Sequence, residues 1–117
     1  MQIAGVVLTA LLSLMFAGSG VSKLARAAQS LKIRDDLRVS AGLWTTVGFL
    51  EVAAVVGLLA GLRWEWMAVA AATGLAALMA GAVVVHRRAN DSRGQLPPAV
   101  LLVLSAALAV ITASQMP

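Results

Sequence analysis

Three side chains in this sequence stand out for proton transfer or polar recognition, one inside a strongly apolar segment and two at the ends of such segments. They are Glu51, the sole histidine His86, and Lys23. Glu51 lies inside Leu43 to Leu62, a stretch otherwise free of charge and long enough to cross a bilayer. An acidic side chain at the centre of a membrane helix costs roughly 2.5 kcal/mol or more, so it faces a bundle interior, finds a partner or changes protonation state. Three roles follow for Glu51. It is a structural carboxyl, protonated or paired with Ser13, Thr45, Thr46 or a backbone carbonyl; or an acid or base in proton transfer; or a polar anchor for the carbonyl or hydroxyl of a lipophilic ligand. His86 is the second candidate for proton exchange, with an interfacial helix-end residue beside Arg87 and Arg88 as its structural alternative. Lys23 supplies a positive charge, with snorkelling to headgroups as its structural alternative.

The spacing around Glu51 suggests a pocket. Trp44 is seven residues before it, two helical turns on the same face, which sets Glu51 about 10 Å deeper at a rise of ~1.5 Å per residue. Gly48, one turn above the carboxyl, is expected to leave open space beside it. Lys23 and His86 stand at the ends of their own apolar segments, on the side where Trp44 begins its helix. The expected site is a cavity with Lys23, Trp44 and Gly48 contacting ligand and Glu51 and His86 acting as catalytic or proton-exchanging groups.

Four apolar runs must carry these residues: 3–21, 43–62, 66–85 and 98–113. The chain has 117 residues, 61% of them hydrophobic and 12% charged, which is a membrane composition. Little sequence remains outside the runs. The expected architecture is therefore all-α, one integral membrane domain over 1–117, built as an antiparallel four-transmembrane-helix bundle. Ala17 and Ser19 give the first run a small-x-small pattern like a signal cleavage site, but no Lys or Arg precedes it and its length favours a retained helix. With no cysteine, thiol redox chemistry and cysteine metal ligation are excluded for this chain alone, and a single histidine argues against a structural metal site.

The net charge of +4 is informative through its distribution. Lys23, Arg26, Lys32, Arg34 and Arg38 fall in the first connection, 22–42, and Arg87, Arg88 and Arg93 in the third, whereas the second holds only Arg63. The positive-inside rule then puts the first and third connections in the cytoplasm and both termini outside, in a multi-pass protein of a bacterial-type inner membrane. Nucleic acid is not an expected partner, because the cations flank membrane segments and lack interleaved aromatics. In the first connection Leu24, Ala27, Ala28 and Leu31 recur at helical spacing among basic residues, which predicts a short interfacial helix. Ser40 is placed to cap the second apolar helix. Trp64 and Trp66 suit an aromatic belt on the opposite side, and Pro97 and Pro98 suit the entry to the last helix.

Small residues predict close helix contacts: Ser13, Ala17 and Gly20 on the first helix, Gly57 and Gly61 on the second, and Ala70, Gly74, Ala77 and Gly81 on the third. The same stripes would serve a homodimer.

Three segments carry a family likeness: LMFAGSGVSKL, VGFLEVAAVVGLLAG and GLAALMAGAVVVHRR. Together they resemble the DoxX-like family of small four-helix membrane proteins, with Lys23, Glu51 and His86 at the polar positions of the three motifs. That resemblance implies the four-helix fold. It also implies an accessory role: some such proteins are membrane subunits of quinone-linked oxidoreductases or associate with antioxidant enzymes, and a distant branch assists receptor assembly. Since the chain has no flavin, haem or iron-sulfur motif, a redox centre would be a bound quinone or belong to a redox protein partner. The expected function is binding of a lipophilic small molecule within the bilayer as an accessory subunit of a membrane redox system. An acid/base isomerase or cyclase on a lipophilic substrate, and an assembly factor without chemistry, stay open as alternatives.

Overall fold

A computed structural model describes residues 2–91 and 94–116. It contains five helices in the order α1 (Ile3–Leu24), α2 (Ala28–Asp36), α3 (Ala41–Ala60), α4 (Glu65–Arg88) and α5 (Leu96–Gln115). Four of them, all except α2, are long and apolar enough to cross a membrane. They form an antiparallel ring in which α1 packs on α3, α3 on α4, α4 on α5 and α5 back on α1. The long dimension of the molecule is 44 Å, which matches a bilayer with its headgroup layers at about 40–45 Å. The protein is a four-helix membrane bundle.

Its core is a single apolar column of Leu12, Phe16, Leu58, Leu75, Met79 and Leu108. Large apolar side chains also cover the outside, among them Leu14, Phe49, Val56, Val103 and Val110. A water-soluble bundle would carry polar groups there; lipid is the solvent that accepts this surface.

Close approach between helices depends on particular small residues. Gly61 lies so near Ala68 that a Cβ added to it would fall 2.7 Å from the Ala68 nitrogen, and a Cβ on Gly57 would fall 3.0 Å from that of Ala71. These two contacts fix the α3/α4 register. The predicted stripe on α4 behaves differently: Ala70, Gly74, Ala77 and Gly81 are exposed, and space around Gly74 and Gly81 is open. The face that α4 turns inward is Ala68, Ala72, Leu75 and Met79. Because Gly57 and Gly61 pull the Ala68–Ala71 side of α4 against α3, Gly74 and Gly81 take no part in that contact.

Helix ends differ from the apolar windows for a related reason. Charged residues continue α1 through Lys23 and Leu24, and α4 through His86 to Arg88, until a left-handed residue stops each helix. Arg26, Arg38 and Asn90 all have φ of 57°, following α1, α2 and α4 respectively. Each end is closed by the paired bonds of a Schellman motif, such as Ala27 N–H to the Ser22 carbonyl and Arg26 N–H to the Lys23 carbonyl. All three turns lie at the basic end of the bundle. There Ser40 caps α3 by accepting from the Leu43 N–H, and Leu96, Pro97 and Pro98 form the first turn of α5, where missing N–H donors cost nothing. Arg93 lies outside the described residues, so the basic end is described through its other cations.

Helix α2 lies across this end. Its buried residue is Ser30, followed by Leu37 just beyond its last turn. The inward face therefore runs through Ser30 and Leu37, and not along the Leu24–Leu31 stripe expected from sequence, because α1 continues through Leu24 and the turn at Arg26 resets the helical phase.

Candidate functional site

Glu51 lies ten residues beyond the start of α3, about 15 Å into the bundle from its basic end. Its side chain is 1% exposed, and its partner is Lys23: the ammonium Nζ stands 2.7 Å from Oε1. This contact is an ion pair without the alignment of a hydrogen bond. Ser13, Thr45 and Thr46 do not serve as partners. Ser13 is buried without a hydrogen bond, Thr46 donates to the Gly42 carbonyl one turn back, and Thr45 lines a pocket near the surface.

Lys23 reaches inward from the last turn of α1 because α1 and α3 approach closely. A Cβ on Gly48 would come within 2.9 Å of the Lys23 Cβ, and one on Gly20 within 3.0 Å of the Gly48 carbonyl oxygen. Gly48 thus opens no space beside the carboxyl; α1 fills it. The glycine pair lets the lysine stem lie flat on α3 and its head drop toward Glu51. Two further contacts orient that head. Nζ donates to Ser19 Oγ, one turn back on α1, and lies 4.8 Å from the centre of the Trp44 ring. Trp44 in turn donates from its indole N–H to Ser30 Oγ at 2.9 Å, joining α3 to α2.

Lys23, Trp44, Glu51 and His86 line one cavity of about 670 Å³. Leu78, Met79 and Leu101 supply apolar wall, and Ser30, Ile33 and Leu37 close it from the α2 side. The α3/α4 register set at Gly57 and Gly61 carries along the helices to bring Leu78 and Met79 to the depth of Glu51. His86 is two turns nearer the basic end than Met79, about 10 Å. Its Nδ1 is engaged by the Ala82 carbonyl at 2.8 Å, so Nε2 is the nitrogen left for a ligand. In its neutral form this imidazole accepts at Nε2; as imidazolium it donates there.

These motifs and this topology decide the family: its model matches residues 7–108, which include α1 from Val7, α2, α3, α4 and most of α5. The chain belongs to the DoxX-like family. No curated protein and no solved structure matches it. For a DoxX-like chain, then, the site has to be argued from its own geometry. The structure brings Lys23, Trp44, Glu51 and His86 to one cavity and leaves Gly48 behind them as a helix contact. Sequence reasoning did not single out Ser19 and Ser30. Ser19 was visible in principle, four residues before Lys23 on one helix face. Ser30 was not, since its bond to Trp44 depends on how α2 folds over the bundle. Among the described residues no group of His, Asp and Glu is arranged to hold a metal.

Proposed function

We propose that this protein binds a lipophilic small molecule bearing a carbonyl or hydroxyl group, with its polar end at Lys23 and Glu51. One observation carries the reading: a buried charge pair lines the wall of a mainly apolar cavity, where a packed hydrophobic pair would be at least as stable. A quinone head fits this donor set. Lys23 donates to one carbonyl, His86 meets the other as imidazolium or accepts from the hydroxyl of the reduced form, and the cavity takes the ring with the start of its tail. The redox chemistry would be that of the quinone. Glu51 balances the lysine charge and orients the ammonium, and Trp44 and α2 exclude water. In this reading the protein is an accessory subunit of a membrane redox system, with its basic end in the cytoplasm and the Ile3 and Gln115 ends outside.

Trp44 provides the test. In a variant carrying Trp64→Phe and Trp66→Phe, Trp44 is the remaining fluorophore, and decylubiquinone should quench it saturably, with much weaker quenching after Lys23→Met. Linear quenching that is equal in both proteins, with no lipophile in an organic extract of the purified protein, overturns the proposal. An acid/base enzyme would use the same cavity. It predicts turnover that Glu51→Gln abolishes while ligand binding persists.

A further inference from the structure

Lys23 and Trp44 have a second cavity on their other side. It measures about 390 Å³ and lies between α2, with the turn before it, and the start of α3. Its walls carry three cations, Lys23, Arg26 and Arg34, and the start of α3 at Ala41 and Gly42. Charge compensation within it is incomplete. Lys23 faces Glu51 on the far side of the wall, and Arg34 shares Asp35, which is itself largely exposed. Arg26 has no acidic partner among the described residues. Ser40 satisfies the N–H groups of Leu43 and Trp44 and leaves those of Ala41 and Gly42 unbonded.

We infer that this basic pocket is a binding site for a phosphate group. The three cations that line the concavity face two carboxylates, Glu51 and Asp35, so an excess positive charge remains for an oxyanion to neutralise, and guanidinium groups match phosphate oxygens in pairs. The Arg34 side chain is only 19% exposed and is held by Asp35, so little ordering is needed on binding. Basic pockets beside membrane helices receive anionic lipid headgroups in this manner. A soluble phosphate ester has the same chemistry. The inference does not rest on the ligand proposed for the larger cavity, although Lys23 and Trp44 line both.

The test leaves Lys23 and Glu51 untouched, so its failure does not bear on the larger cavity. Native mass spectrometry of the purified protein in detergent would compare adducts with dioleoylphosphatidylglycerol and dioleoylphosphatidylcholine. Glycerol 1-phosphate serves as the soluble competitor. The anionic lipid should be preferred, and Arg26→Asn with Arg34→Gln should weaken it about tenfold, the equivalent of one charge-assisted hydrogen bond. Asn tolerates the left-handed backbone at position 26, and circular dichroism checks that the variant folds. Arg34→Lys should retain part of the binding. Competition by glycerol 1-phosphate with the same arginine dependence identifies a soluble ester as the ligand, and lack of competition identifies the lipid. Equal retention of both lipids, or anionic binding indifferent to Arg26 and Arg34, overturns the inference.

Discussion

Removing the two partners of the Lys23–Glu51 pair should have unequal consequences, with the lysine the more costly to lose. At 2.7 Å the Coulomb attraction is about 6 kcal/mol for an effective dielectric of ~20, much of it offset by desolvation. Lys23→Met leaves the carboxyl of Glu51, 1% exposed, without the ammonium paired to it. Breaking a buried pair in that way costs about 3–5 kcal/mol. Glu51→Gln leaves an ammonium that still has Ser19 and the Trp44 ring, and its flexible stem at the end of α1 can carry it toward headgroups. About 1–2 kcal/mol is expected for that loss of a charged partner. The double variant Lys23→Met/Glu51→Gln should then lose less than the two singles together, with a coupling of about 1.5 kcal/mol or more. Equilibrium unfolding in mixed detergent micelles, followed by circular dichroism, gives all four corners of the cycle. A Glu51→Gln protein as unstable as Lys23→Met, or additivity across the cycle, would refute the ion pair as the reason for this arrangement.

Glycines on different faces should respond unequally. Gly48→Ala drives a methyl against the Lys23 Cβ at 2.9 Å and should destabilise by about 1–3 kcal/mol, whereas Gly74→Ala meets nothing within 4 Å and should stay within about 0.5 kcal/mol; thermal unfolding compares them. Arg38→Gly removes a left-handed non-glycine residue and should stabilise by about 1 kcal/mol, which a lowered or unchanged melting temperature would contradict. Trp44→Phe deletes the donor to Ser30 and should loosen α2, so that trypsin cuts after Lys32 or Arg34 faster than in the parent protein. Digestion at an unchanged rate would show that other contacts hold α2.

The four spans were legible because apolar runs of this length have few other uses, even with Glu51 inside one of them. The polar residues were also legible one by one, since a carboxyl in an apolar helix is conspicuous. Their pairing was not. It depends on the α1/α3 register, which Gly20 and Gly48 set through backbone contact, and a glycine in a membrane helix looks the same whether it touches a neighbour or lipid. Gly48 and Gly74 show the ambiguity: the first, expected to open a pocket, is packed against Lys23, and the second, expected at a helix contact, has nothing beside it. Lys23 and His86 lie in the last turns of their helices, as expected, although beyond the apolar windows. A hydropathy window ends at the first charge, but the helix runs on until Arg26 and Asn90 turn left-handed.

The position of the ion pair bears on why it exists. If the pair served stability alone, the column of Leu12, Phe16, Leu58 and Leu75 would be the place where fixing helix register mattered most, and that column is apolar. Instead the pair lies toward the basic end, on the wall of the larger cavity, and its lysine also lines the smaller one. A buried pair is weak evidence for stability because well-packed hydrophobic residues do as well. What such a pair supplies beyond an apolar contact is an ammonium that can face either cavity while Glu51 and Trp44 hold it between them. Charge arriving in the basic pocket would compete with Glu51 for the same Nζ, so the two cavities share one lysine, and occupancy of either should be felt in the other through the Lys23–Glu51 distance.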